Sequence, residues 1–390
     1  MLVPYTFPVG FLWGAATAAH QVEGNNVNND WWKLEHDAAG YIDFSGDALD
    51  SYHRYPEDMR LLAEAGLNTY RFSIEWSRIE PSPGKFSGAL LAHYRRMIDT
   101  ALALGLTPIV TLHHFTHPLW FGERGGWLGP DAVETFTRYV QRACTILEGV
   151  QWVCTINEPN VVAMNHGAAR IMAAGHPYPS TPFPDPVIGE ALITAHLAAA
   201  PLIRQATGAH VGWTVANQAF VAAPGAESKH AEVKYTWEDM YLEAARGDDY
   251  VGVQSYTSQV IDADGIRAHP EDPGNTLMGW AYRPDALSIA LRHTRDIVGE
   301  VPIVVTENGI ATDDDERRIA YTGEALAGLA QAMQDGIDVR GYCHWSLLDN
   351  FEWGRWHPTF GLIAVDHDTF ARHPKPSLAW LGSVAQANAI

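Results

Sequence analysis

Eight short apolar runs recur along the chain, each followed by a longer amphipathic stretch, and this alternation limits the fold more than any other feature. The runs cover roughly residues 11–14, 67–74, 107–114, 151–158, 210–217, 250–256, 303–307 and 339–347. Helix-start signals fall between them. Pro56-Glu57-Asp58 predicts a helix ending at Gly66, and Pro130-Asp131 one ending near Gly149. Arg283-Pro284-Asp285 and Asp313-Asp314-Asp315 open two more, each with acids in the first turn, where the helix dipole favours them. Strand–helix alternation repeated eight times is the pattern of an α/β chain closed into a single (β/α)8 TIM barrel, with its active site at the C-terminal ends of the strands. A doubly wound sheet would place a glycine-rich phosphate turn after the first strand, and Trp13-Gly14-Ala15-Ala16-Thr17 is not one. No repeat, charge block or low-complexity linker divides the chain, so residues 1–390 read as one barrel domain. The densest Pro/Gly stretch, 175–186, reads as a long loop over the barrel mouth.

The runs end in Arg71, His113-His114, Asn157-Glu158, Asn217, Gln254 with Tyr256, Glu307-Asn308 and His344-Trp345. Strands buried on both faces have no packing reason to finish this way. Carboxylates, amides and aromatic rings gathered on one rim suit a carbohydrate, whose hydroxyls need polar pairs and whose faces need flat platforms. Two carboxylates stand out. Glu158 closes the fourth run and Glu307 the seventh, on strands that can converge across a barrel. One strand-end Glu is more often a salt-bridged rim residue than a catalyst, but two of them, each beside an Asn, point to chemistry. A gap of about 5–5.5 Å between them favours a retaining displacement, whereas about 6.5–9.5 Å leaves room for an inverting water. Arg71 is expected to keep Glu307 ionised. Glu158, with fewer cations and an anion nearby, is expected to stay protonated.

Composition excludes several classes. Asp and Glu outnumber Lys and Arg by 46 to 26, a net charge of −20, which repels nucleic acid and anionic lipid. No uninterrupted apolar stretch of membrane-spanning length is read, and the N-terminus lacks the basic start and apolar run of a signal peptide. Three cysteines, Cys144, Cys154 and Cys343, are too few for a disulfide framework and read as buried thiols. A soluble cytoplasmic protein is expected.

The motifs themselves resemble family 1 of the glycoside hydrolases, the β-glucosidase family, along nearly the whole chain. The resemblance is carried by residues 11–24 (FLWGAATAAHQVEG), 70–79 (YRFSIEWSRI), 155–159 (TINEP), 305–309 (VTENG) and 345–354 (WSLLDNFEWG). It implies a retaining exo-β-glycosidase acting on a small-molecule β-glycoside without cofactor or metal. It implies Glu158 as acid/base and Glu307 as nucleophile, with Arg71 and Tyr256 orienting the nucleophile. Gln21, His114, Asn157, Glu352 and Trp353 match groups that hydrogen-bond the terminal sugar, and Trp345 matches the platform beneath it. Gln254 and Phe360 join the substrate-binding set, and Trp280 matches the residue that stacks on the leaving-group side. The pattern is broken at Gln254-Ser255-Tyr256, where the family usually has Asn-Tyr-Tyr. It is broken also at Phe115, where Trp is common, and at Thr359. The chain is short for the family, with the missing length between Pro177 and Tyr250 and around Pro270, which implies a more open entrance on the leaving-group side.

Rival readings carry less. His113-His114-Phe115-Thr116-His117 suggests a metal, but metal-binding histidines spaced in this way belong on a helix and this run ends a strand. An endo-acting glycanase would not need the closed sugar pocket that Gln21 and Glu352 imply. A 6-phosphosugar enzyme would not place the acid Glu352 where a phosphate sits. A non-catalytic binding protein of this type typically loses one carboxylate, and this chain keeps both.

Overall fold

The computed structural model describes residues 5–37, 40, 42–177 and 182–390. Eight parallel strands close into a barrel: β1 (Leu12–Ala16), β2 (Thr69–Ser73), β3 (Thr107–His113), β4 (Trp152–Asn157), β5 (His210–Ala216), β6 (Val251–Gln254), β7 (Ile303–Asn308) and β8 (Val339–Trp345). Each strand pairs with its sequence neighbours, and β1 pairs with β8 to close the ring. Period-two alternation sends side chains to two cores. Leu12, Ile109, Trp152, Tyr250, Val304 and Cys343 fill the barrel interior. Trp13, Tyr70, Phe72, Val110, Val153 and Val305 face the surrounding helices.

The apolar runs locate all eight strands, with displaced ends. β1 continues two residues beyond the expected stop. β6 ends at Gln254, so Tyr256 stands in the loop beyond it. The helix expected to open at Pro56 begins at Ser51 instead, and Pro56 lies inside it. A proline this close to the N-terminus removes one hydrogen bond without stopping the helix. That helix ends where glycine demands, with Gly66 in the left-handed region at φ 100°. The helix after Pro130-Asp131 is Ala132–Cys144, five residues short of Gly149. Helices Ala286–Val298 and Asp315–Gln334 start where their acidic signals place them, and Asp314 caps the second by accepting from the backbone of Glu316 and Arg317.

Three expectations are corrected. Helix Pro186–Thr207 has the length and hydropathy of a membrane span, contrary to the expectation that no stretch approaches that length. Its Ile188, Leu192, Ala195, Ala199 and Ile203 are buried against the barrel, which is what makes it apolar. Segment 175–186 lies between the helices Pro159–Ala173 and Pro186–Thr207 rather than directly after a strand; its residues 178–181 fall outside the described residues. Cys154 and Cys343 are buried free thiols as expected, whereas Cys144 is only half-buried.

Beyond the barrel mouth, a three-stranded sheet of Val221–Ala222, Val260–Asp262 and Gly265–Arg267 is built from the loops after β5 and β6. Phe220, Val233, Trp237 and Ile261 form its own small core.

Candidate active site

Arg71 occupies the barrel interior because alternation along β2 places it on the same face as Thr69 and Ser73, while Tyr70 and Phe72 point to the helices. A fully buried guanidinium needs compensation. It donates to Glu307 Oε1 at 2.5 Å and to Asn157 Oδ1 at 2.5 Å, joining the ends of β2, β4 and β7. The Tyr256 hydroxyl donates to the other Glu307 oxygen at 2.6 Å, and Gln254 Nε2 donates to Asn157 Oδ1 at 2.9 Å. Gly309, directly after the Glu307-Asn308 pair, lets β7 approach β8. A Cβ there would lie 2.2 Å from the Trp345 carbonyl oxygen.

Glu158 is held differently. It sits at φ 45° in the left-handed region, immediately before Pro159, the first residue of helix Pro159–Ala173. Phe115 and Trp353, which also line the cavity, have φ 67° and 49°. Non-glycine residues in this region store strain that the surrounding structure must hold, and such residues cluster at functional sites. Among the described residues no side chain donates to the Glu158 carboxyl. Burial, and then the negative charge of Glu307, push it well above the ordinary carboxylate range, with Arg71 offsetting part of the rise. Burial also raises Glu307, but Arg71 and the Tyr256 hydroxyl oppose it, so Glu307 is the first of the pair to ionise.

Both carboxyls line one cavity of about 500 Å³. His114, Gln254, Tyr256, Trp280, Trp345, Glu352, Trp353 and Phe360 line it with them. Arg71, Asn157 and Gln21 lie in the layer beneath, fully buried. Every residue to which the family resemblance gives a role is thus in or directly under one pocket. The floor is a polar mesh. Gln21 Nε2 donates to Asn350 and the Phe351 carbonyl at 2.8 Å and to Glu352 Oε2 at 3.3 Å, and the Trp345 indole donates to Glu352 Oε1 at 3.0 Å. Burial, reinforced by Glu307, pushes the Glu352 carboxyl up to about 8 despite that indole. The His114 ring lies nearly parallel to those of Trp345 and Trp353, with centroids 6.1 Å away in each case, and burial holds it neutral. Gln21 Oε1, His114 Nδ1 and Gln254 Oε1 are buried without a protein partner among the described residues, which leaves acceptors and donors for sugar hydroxyls.

The opposite wall was missed by sequence reasoning. Val161 and Met164 come from the helix after Glu158, Trp237 from the segment after β5, and Ile266 from the three-stranded sheet. Gln218, Gln259, Arg267 and His269 add polar groups to it. Trp280 stands at its edge, 5.8 Å from Tyr256 and 6.4 Å from Phe360 between ring centroids. The histidine run does not act as a unit. His113 points to the helix layer among Trp76, Trp127 and Phe136, His114 enters the pocket, and His117 turns away towards Asp30.

Comparison with known proteins agrees with this geometry. The family model described as Glycosyl hydrolase family 1 matches residues 3–236 and 238–390. A thermostable beta-glucosidase B of Thermobispora bispora is 33% identical over 438 aligned positions, covering 99% of this chain and 92% of that protein. The crystal structure of beta-glycosidase BGL167 superposes with a TM-score of 0.88 at 43% identity, covering 97% of each chain. A beta-glycosidase from Pyrococcus horikoshii superposes at 0.90 with 33% identity, covering 100% of this chain and 96% of that one. A barrel closed around two acidic strand ends, matched from end to end in sequence and in structure, places this chain in glycosyl hydrolase family 1 as a β-glycosidase of the β-glucosidase type.

Proposed function

We propose that the chain is a retaining exo-β-glycosidase in which Glu307 attacks the anomeric carbon of a terminal sugar and Glu158 delivers and removes the proton. The observation that carries this reading is the asymmetry of the two carboxyls in one cavity: Glu307 accepts from Arg71 and Tyr256, whereas Glu158 has no donor among the described residues and feels the charge of Glu307. The first arrangement holds an anion ready to attack, and the second holds a proton ready to give. Protonated Glu158 donates to the departing glycosidic oxygen as the Glu307 carboxylate bonds to the anomeric carbon. Glu158, now a base, takes a proton from water, which attacks the glycosyl ester, frees Glu307 and restores the β-configuration.

The Gln21–Glu352–Trp345 mesh and Trp353 at the floor support exo action, since they offer polar and aromatic groups to a terminal sugar. Asn157, fixed from two sides by Arg71 and Gln254, lies where it can bond a hydroxyl beside the reacting carbon, an interaction that strengthens in the transition state. A chain short for its family supports acceptance of bulky aglycones if the missing length lies on the leaving-group side: aligning this chain of 390 residues with the Thermobispora relative takes 438 positions. The reading is tested by following hydrolysis of a nitrophenyl β-glucoside by proton NMR. The β-anomer of free glucose appears first on this mechanism. Initial release of the α-anomer refutes it.

A further inference from the structure

We propose that Asp30, His117 and His166 form a binding site for one divalent transition-metal ion, with zinc as the best match, that clips three segments together outside the catalytic pocket. The three residues come from the start of helix Asp30–Asp37, the loop after β3 and helix Pro159–Ala173, and their ligand atoms all lie within 4.8 Å of one another. His117 Nε2 faces Asp30 Oδ2 at 3.6 Å. A tetrahedral zinc ion with bonds of about 2.0–2.2 Å separates its ligand atoms by roughly 3.3–3.5 Å, so this pair already has the spacing of a chelate. The His166 ring lies alongside that of His117, with centroids 5.1 Å apart at an angle of 21°. A ring nitrogen of this half-buried side chain lies within 4.8 Å of the other two ligand atoms.

The other atom of each of the first two ligands is already engaged. Asp30 Oδ1 accepts from the His117 backbone N–H at 2.9 Å, leaving Oδ2 as the one free oxygen. His117 Nδ1 is 3.1 Å from the Pro118 carbonyl, an acceptor that fixes the proton on Nδ1 and turns the Nε2 lone pair towards the carboxylate. Two acceptors facing each other need a cation or a proton between them. The backbone is rigid here: the Asp30 N–H donates to the His117 carbonyl, the Leu119 N–H donates to the Asn28 carbonyl, and Asn29 pairs with Pro118. His117 also fits its position closely, since a Cβ added to Gly122 would lie 3.0 Å from its Cε1. The ligands line a cavity of about 330 Å³ with Trp31, Leu34, Phe115 and Val162, which gives an ion a route in from solvent. Lys33, the one cationic side chain along that cavity, is engaged by Asp37. Two imidazoles and one carboxylate with an open fourth position suit zinc, cobalt or nickel, and not calcium or magnesium, which take oxygen ligands.

The test strips the full-length enzyme with a chelator and titrates it with Zn²⁺ by calorimetry and with Co²⁺ by visible absorption. One equivalent should bind saturably, with the intense cobalt bands of a four-coordinate nitrogen–oxygen site and a rise in Tm. His166→Ala and Asp30→Asn should each weaken binding by at least tenfold and abolish the cobalt spectrum, while His176→Ala, in an exposed position, should change neither. Circular dichroism and hydrolysis by stripped His166→Ala should match the stripped parent, because the site lies outside the reacting groups. Absence of a saturable single equivalent, or binding that survives His166→Ala unchanged, overturns the proposal.

Discussion

The floor and the wall of the catalytic pocket are built on opposite principles. The floor consists of strand ends, the short helix Ala19–Val22 after β1 and the segment just after β8, and its side chains are tied to each other: Arg71 to Glu307 and Asn157, Gln254 to Asn157, Gln21 and Trp345 to Glu352. The wall consists of the helix after Glu158, the segment after β5 and the small added sheet, and Val161, Met164, Trp237 and Ile266 present apolar surface to the cavity. A mesh of mutually bonded polar groups has few alternative arrangements, so it holds its atoms in place and suits bond making. Apolar contact is non-directional and tolerates variation in shape, so it suits a leaving group that differs between substrates. The contrast predicts that changes on the floor alter rate and pH dependence, and that changes on the wall alter only which aglycones are preferred.

The largest effect is expected at the floor carboxylate that attacks the sugar. Glu307→Gly should reduce kcat by roughly 100,000-fold or more, because the nucleophile is lost while binding groups remain. Added azide should restore turnover and give an α-glycosyl azide, identified by NMR. A β-configured azide would reverse the assignment of the two carboxyls. Glu158→Ala should slow natural glycosides by about 1,000-fold. Nitrophenyl glycosides, whose leaving groups need little protonation, should retain far more activity. Equal losses on both substrates would remove Glu158 from the role of acid.

Two smaller floor changes separate the carboxyls by pH. Tyr256→Phe removes a hydrogen bond to the ionised form of Glu307, and such bonds contribute about 1.5–3 kcal/mol, so kcat/KM should fall by roughly 10- to 150-fold. Tyr256 lowers the pKa of Glu307, so its loss raises that pKa. Glu307 must be ionised to attack, and the acidic limb of the pH–rate profile should therefore move to higher pH. Glu352→Gln acts on the other limb. The charge that Glu352 carries above about pH 8 raises Glu158, which must be protonated, so removing it should move the alkaline limb to lower pH. Normalised profiles of kcat/KM with both limbs unmoved would show that these groups do not tune the pair.

The same contrast explains what the sequence makes legible. The floor residues occur at the ends of apolar runs in short contiguous motifs, and the period of two along each strand decides which face they take. Arg71 between Tyr70 and Phe72 is placed inside the barrel by parity alone. Even there the period gives the face but not the strand end: β6 stops two residues before Tyr256, and the hydroxyl reaches Glu307 from a loop. The wall has no such signature. Val161, Trp237 and Ile266 are widely separated in sequence, and strands of two and three residues are too short to show alternation. His117 illustrates the same limit. It reads as the end of a histidine run, yet the chain turns it away from His113 and His114 to face Asp30 and His166, both distant in sequence.

The smallest expected effect is the one that isolates the wall. Ile266 packs on the small core of the three-stranded sheet and lines the cavity without a hydrogen bond to any floor residue. Ile266→Ala removes about three carbons of apolar surface, part of which faces a bound aglycone. At about 0.8 kcal/mol per buried CH₂, partial contact translates into a loss of roughly three- to tenfold in kcat/KM for aryl glucosides. A methyl glucoside, which does not reach the wall, should be hydrolysed as before, and the pH profile should keep both limbs. If the methyl and aryl substrates instead lose activity together, the wall is mechanically coupled to the floor, and the division between a rigid reacting surface and a permissive binding surface fails.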